Sequence, residues 1–138
     1  MGQYLATVEW SRGDQPFTDN RYSRAHDWRF DGGAVVRGSS APSSVPLPMS
    51  DAAAVDPEEA LVAAVSSCHM LFFLAFAAKG GFVVDRYLDN AVGVMGRDER
   101  GKTAITEVVL RPIVTVADES MVDAARAAHA EAYEHCFI

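Results

Sequence analysis

Residues 56–81 read DPEEALVAAVSSCHMLFFLAFAAKGG, and nineteen consecutive positions in them, Ala60–Ala78, contain no Asp, Glu, Lys or Arg. Asp56 stands where a helix N-cap is wanted, Pro57 suits the first turn, and Glu58 and Glu59 complement the positive end of a helix dipole. Gly80 and Gly81 supply the stop. A helix apolar on every side is either a bilayer span, which takes about 20 apolar residues, or the central helix of a globular fold, buried on several sides. Ser66, Ser67, Cys68 and His69 would sit near mid-bilayer, and only Lys79 marks a flank, so no membrane partner is expected. The helix then carries a thiol at its centre, and the rest of the chain has to explain why.

Outward from the helix the pattern changes to strands. Upstream, Tyr4, Ala6, Val8 and Trp10 alternate with Gln3, Thr7 and Glu9, which predicts a half-buried strand over 3–10. A second strand within RYSRAHDWRFDGG closes on Asp31-Gly32-Gly33, a hairpin signal into AVVRG. Residues 38–50, GSSAPSSVPLPMS, form a Pro/Ser loop. Downstream, FVVDRYLDNAVGVMG reads as one long strand, Arg97–Gly101 as a turn, and KTAITEVVLRPIVTVA as its partner. SMVDAARAAHAEAYEHC closes as an amphipathic helix, with Met121, Ala125, Ala128, Ala132 and Cys136 on one stripe. Three strands, a long helix, two strands and a helix define an α+β class, expected as a single domain over 1–138.

Composition narrows the functions. A net charge of -7 argues against nucleic-acid binding and against attraction to an anionic membrane surface. MGQYLATVEW has no basic leader region, and Ala6 breaks the myristoylation pattern, so a cytoplasmic location is expected. Two cysteines are too few for a disulfide framework and are either incidental or redox-active. Leu61, Val65, Cys68, Phe72 and Phe76 share one face of the long helix, and Cys136 lies on the apolar stripe of the last one. Each cysteine alone reads as a small core hydrophobe. Both together, beside Ser66, Ser67, His69 and His135, are unusual company for a purely apolar interior.

DPEEALVAAVSSCHM resembles the central-helix motif of the OsmC/Ohr family of thiol peroxidases, in which a Pro-Glu pair opens the helix ahead of a peroxidatic cysteine. HAEAYEHCFI is similar to the segment around that family's resolving cysteine, FVVDRYLDNAVGVMG to the strand after its central helix, and YSRAHDWRFDGG to one branch of the family. The resemblance implies antiparallel sheets around a long apolar helix, in an intertwined homodimer. It implies reduction of organic hydroperoxides at Cys68, a disulfide with Cys136, and recycling by an external dithiol. By position, Glu58 matches the supporting carboxylate, and Arg24, in preference to Arg21, the supporting arginine. The family also runs on into a further short strand past the second cysteine, where this sequence ends at Ile138.

The chemistry suits those residue types. A thiolate attacks a peroxide oxygen and becomes a sulfenic acid, but a thiol near pKa 8.5 is mostly protonated at neutral pH and burial raises it further. An arginine stays charged and its fork can hold a thiolate and a carboxylate together. Ten residues separate Glu58 from Cys68, about 15 Å along a straight helix and roughly 80° around it. Either the helix breaks near Ser66-Ser67 or the two groups meet across a dimer. Phe72, Phe73, Phe76, Trp28 and the Val45–Met49 loop either line a greasy approach that favours organic peroxides or are simply core. No CxxC or HExxH spacing occurs, and the Cys68-His69 and Cys136-His135 neighbours diverge by about 100°, so neither a metal nor a cofactor is expected. A non-catalytic dimeric module binding a small lipophilic ligand is the alternative.

Overall fold

The computed structural model describes residues 2–138. The chain forms two compact units, Met1–Ala60 and Leu61–Ile138. The first holds a three-stranded antiparallel sheet of order β1-β2-β3, with β1 Ala6–Glu9, β2 His26–Phe30 and β3 Val35–Gly38. The hairpin read from Asp31-Gly32-Gly33 is present: Gly33 takes a φ of 99°, its N–H reaches the Phe30 carbonyl, and the Phe30 N–H reaches that of Ala34. Strand β1 is shorter than the alternation predicts, and all four of its residues are exposed rather than half-buried. It pairs along one edge with β2, and within one chain neither of its faces is covered.

Helix α1, Pro57–Lys79, starts and stops as its sequence requires. The Glu59 N–H donates to Asp56 Oδ1 at 2.8 Å and the Asp56 N–H to Glu59 Oε1 at 2.9 Å, a reciprocal capping box. At the other end Gly81 has a φ of 79°, its N–H bonds the Ala78 carbonyl, and the Phe82 N–H reaches back to Ala77. That is the Schellman arrangement, and Phe82 and Ala77 complete it by packing together in the core. The helix runs unbroken through Ser66 and Ser67, which removes one of the two ways of bringing Glu58 to Cys68.

Two strand predictions need correction. FVVDRYLDNAVGVMG is not one strand but two, β4 Val84–Asp89 and β5 Val92–Arg97. Its partner likewise divides into β6 Thr103–Val109 and β7 Pro112–Val116. Asp89 is opposite Pro112 and Val92 opposite Val109, so both arms of one antiparallel ribbon break at the same level. The cause is Asp89, whose carboxylate accepts the Arg111 N–H at 2.7 Å and ties the two arms at the elbow. The result is two two-stranded sheets, β4-β7 and β5-β6.

The last helix, α2 Val122–His135, follows a 3-10 turn over Glu119–Met121 that Asp118 caps through the Ser120 N–H. Its alanine stripe behaves as read: Ala125, Ala128 and Ala132 are buried with Phe73, Ala77 and Phe82, and Met121 packs on that cluster. The stripe of α1 that enters the core is His69, Phe73 and Ala77, displaced one position from the predicted Cys68, Phe72 and Phe76. A helix apolar on every side has no preferred face of its own; the partners available decide which stripe goes in. Within one chain part of the α1 surface stays open, with Leu61 45% and Leu71 60% exposed.

Candidate functional site

The two cysteines come together. Cys68 projects from the middle of α1 and Cys136 sits at the C-cap of α2, where the backbone turns extended (φ -59°, ψ 134°) and the Cys136 N–H makes a last helical bond to Ala132 at 3.0 Å. Both thiols are free and half-buried. Burial pushes the Cys136 thiol up, and the hydrogen bond and charge of the neighbouring Cys68 sulfur push it further. The Cys136 Sγ also lies 3.6 Å from the Ile138 carbonyl. Phe72, one turn past Cys68, packs edge-on against Phe137 with centroids 5.1 Å apart, and Phe76 lies 5.5 Å from His135. The Cys68–Phe72–Phe76 line therefore faces the final turn and tail of α2.

Cys136 lines a cavity of about 460 Å³, with Val65, Val108 and Leu110 also in its walls and His69 and His129 reaching it; Cys68 is not among the lining residues. Its exposed lining is mainly apolar, suiting a hydrocarbon better than an ion. His69 Nε2 and His129 Nδ1 are 3.0 Å apart, with rings within 5° of parallel. His129 also stacks on Phe73 at 4.1 Å. Burial lowers the pKa of both imidazoles; His69 lowers that of His129 further, whereas the Asp89 charge pulls His69 the other way. His129 opens the HAEAYEHCFI segment, but only its contact with His69, 60 residues away, marks it out.

Asp89 was missed as well. Beyond the Arg111 N–H, its carboxylate accepts the Ser66 hydroxyl at 2.5 Å, two residues before Cys68. Tyr87 lies next to it, its phenol buried and without a hydrogen-bond partner among the described residues. Burial, with the Asp89 charge added, pushes that phenol up to about 12. The available signal was the Asp89-Asn90 pair interrupting an otherwise strand-like run.

Arg24 and Glu58 belong to the first unit. The Arg24 guanidinium donates to the Asn20 carbonyl at 3.1 Å, to Asn20 Oδ1 at 2.9 Å and to the Tyr22 carbonyl, and lies over the Tyr22 ring at 3.6 Å. Its backbone is pinned too: the Arg24 N–H meets the Met49 carbonyl at 2.7 Å, joining it to the Pro/Ser loop. Trp28 Nε1 donates to His26 Nε2 at 2.8 Å, so the His26 proton is on Nδ1 and is donated to the Arg24 carbonyl at 2.7 Å. Glu58 is half-buried and, among the described residues, forms no ion pair; the capping carboxylate is Glu59. Arg21 is exposed, its N–H bonded to Asp19. Among the described residues no cluster of three His, Cys, Asp or Glu side chains suits a metal ion.

Comparison with known proteins adds a lineage. The family described as OsmC-like protein matches residues 50–138. A solved OsmC-like protein of unknown function from Vibrio cholerae shares 51% identity at a TM-score of 0.95, over 99% of this chain and 91% of its own. An OsmC-like protein from Mycoplasma pneumoniae aligns at TM-score 0.71 and 14% identity, over 99% of this chain and 84% of its own. The organic hydroperoxide resistance protein OhrB of Bacillus subtilis aligns at 0.61 and 15%, over 99% and 87%. At such identities the last two likenesses establish the fold alone. No curated protein matches the chain.

Proposed function

The chain belongs to the OsmC-like protein family, and on that premise we propose that it is a cysteine-based peroxidase that reduces organic hydroperoxides. The observation that carries this reading is that the Cys68 and Cys136 thiols are neighbours and that Cys136 stands in the wall of an apolar cavity. Cys68 attacks the peroxide and becomes a sulfenic acid; Cys136 then condenses with it to a disulfide and releases water. The raised pKa of Cys136 supports that order, because a thiol held protonated is the poorer first nucleophile. An external dithiol reopens the disulfide, as suits a reducing, cytoplasmic setting. Arg24 and Glu58 are the supporting cation and carboxylate that the OsmC/Ohr resemblance assigns.

The working form is a homodimer. Tyr4 at 93%, Val8 at 66% and Leu71 at 60% exposure leave apolar surface on β1, its approach and α1 that a second copy would cover. Light scattering at micromolar concentration is expected to give twice the chain mass; a folded monomer would remove this part of the proposal.

Peroxide consumption tests the activity. The protein is expected to reduce cumene hydroperoxide catalytically when supplied with a suitable dithiol, and to bind nucleic acid not at all. The cavity's apolar lining also favours a second reading, a module that holds a small lipophilic molecule without chemistry. Thiols that stay unmodified under peroxide would favour that alternative.

A further inference from the structure

Resting on the peroxidase reading, we propose that His69 and His129 form a proton relay that carries the Cys136 proton to the hydroxide leaving Cys68. His69 directly follows Cys68 on α1, and His129 lies two helical turns before Cys136 on α2, on the same side of that helix. Both rings reach the cavity that Cys136 also lines. Their facing nitrogens, 3.0 Å apart, share one proton. Among the described residues the outer nitrogens, His69 Nδ1 and His129 Nε2, make no hydrogen bond and are free to exchange protons. A cavity of about 460 Å³ admits several water molecules, at roughly 30 Å³ each, to link imidazole and thiol.

The step balances without a further reagent. The Cys136 S–H bond breaks and its electrons form the S–S bond to Cys68. The S–O bond of the sulfenic acid breaks, its electrons leave with hydroxide, and the proton taken from Cys136 converts that hydroxide to water. Cys136 is oxidised and Cys68 reduced to the disulfide level. A base is needed because the Cys136 thiol is held up by burial and by Cys68. Burial favours the neutral form of both imidazoles, the form that can take up a proton. The ionisable groups around them are Asp89 and Tyr87 from β4, Cys136 and Tyr133 from α2, and Cys68 on α1 itself.

The test separates the two thiol steps. Reduced full-length protein is mixed with one equivalent of cumene hydroperoxide, quenched at intervals with acid and dimedone, and read by mass spectrometry as thiol, sulfenic acid or disulfide. His129→Phe keeps a flat ring against Phe73 and removes the nitrogens. In it the ratio of the disulfide-forming rate to the sulfenic-forming rate is expected to fall by about tenfold to a hundredfold. Its pH dependence should flatten below pH 6.5, where the lowered imidazole pKa values fall, and added imidazole should restore the ratio. His69→Gln should show the same pattern. An unchanged ratio in both variants, or a loss that imidazole does not restore, overturns the relay while leaving the peroxidase reading intact. A parent that forms no sulfenic acid at Cys68 overturns both.

Discussion

Asp89 accepts the Ser66 hydroxyl at 2.5 Å and the Arg111 N–H at 2.7 Å, so one carboxylate fixes both the elbow of the ribbon and the turn of α1 that leads into Cys68. Hydrogen bonds to a charged partner contribute about 1.5–3 kcal/mol each. Asp89→Ala should therefore lower unfolding free energy in urea by roughly 2–4 kcal/mol. Ser66→Ala should cost about 1 kcal/mol, because the carboxylate keeps its backbone partner. A double-mutant cycle should return a coupling above about 0.5 kcal/mol; additivity would mean that the contact is not formed in solution.

The imidazole pair makes stability depend on pH. Folding lowers the pKa of both His69 and His129 from 6.5. Above the unfolded value neither state binds the extra proton, and the folded pair is at no disadvantage. As pH falls below 6.5 the unfolded chain takes up protons that the folded chain refuses, and stability declines until the lowered folded values are reached. The urea midpoint should fall between about pH 7 and pH 5. His129→Phe, with one of the two groups gone, should flatten that fall.

Gly38 is opposite His26 in the β2-β3 pairing, and a Cβ there would come within 2.5 Å of Trp28 Nε1 and 2.6 Å of His26 Nε2. Neither ring can retreat without breaking the bond between them or the one from His26 to the Arg24 carbonyl. Gly38→Ala should cost about 1–3 kcal/mol of stability, in the range of overpacking. It should also alter the fluorescence of Trp28. Gly32→Ala, with nothing within 4 Å of the added carbon, is the control and should change neither.

What the sequence disclosed and what it withheld follow from the range of the forces involved. Asp56, Glu59, Gly80 and Gly81 act within one helical turn, so both ends of α1 were readable. The alanine stripe of α2 was readable because its other face is polar. The split at Asp89 was not, because it depends on Arg111, 22 positions away, and on Ser66, 23 positions the other way. The buried stripe of α1 was misassigned by one position for a related reason: with apolar residues on every side, only tertiary partners choose the face. His129 acquires its meaning from His69, 60 residues distant, and no local pattern announces such a pair.

The two cysteines differ in environment and should differ in role. The Cys136 thiol is pushed up by burial and by Cys68, and the peroxidase proposal gives the first attack to Cys68. Cys68→Ser should then abolish peroxide consumption outright. Cys136→Ser should still consume one equivalent, accumulate a sulfenic acid that dimedone traps, and stall, because no second thiol condenses with it. In the parent, one equivalent of cumene hydroperoxide should give an intramolecular Cys68–Cys136 disulfide. That bond needs Cα atoms within about 7 Å, and Cys68 and Cys136 are neighbours within one chain. Non-reducing electrophoresis with mass spectrometry distinguishes a bridge within the chain from one between copies. Equal losses in both variants would mark a structural pair, and a disulfide linking two copies would relocate the second step to the dimer interface.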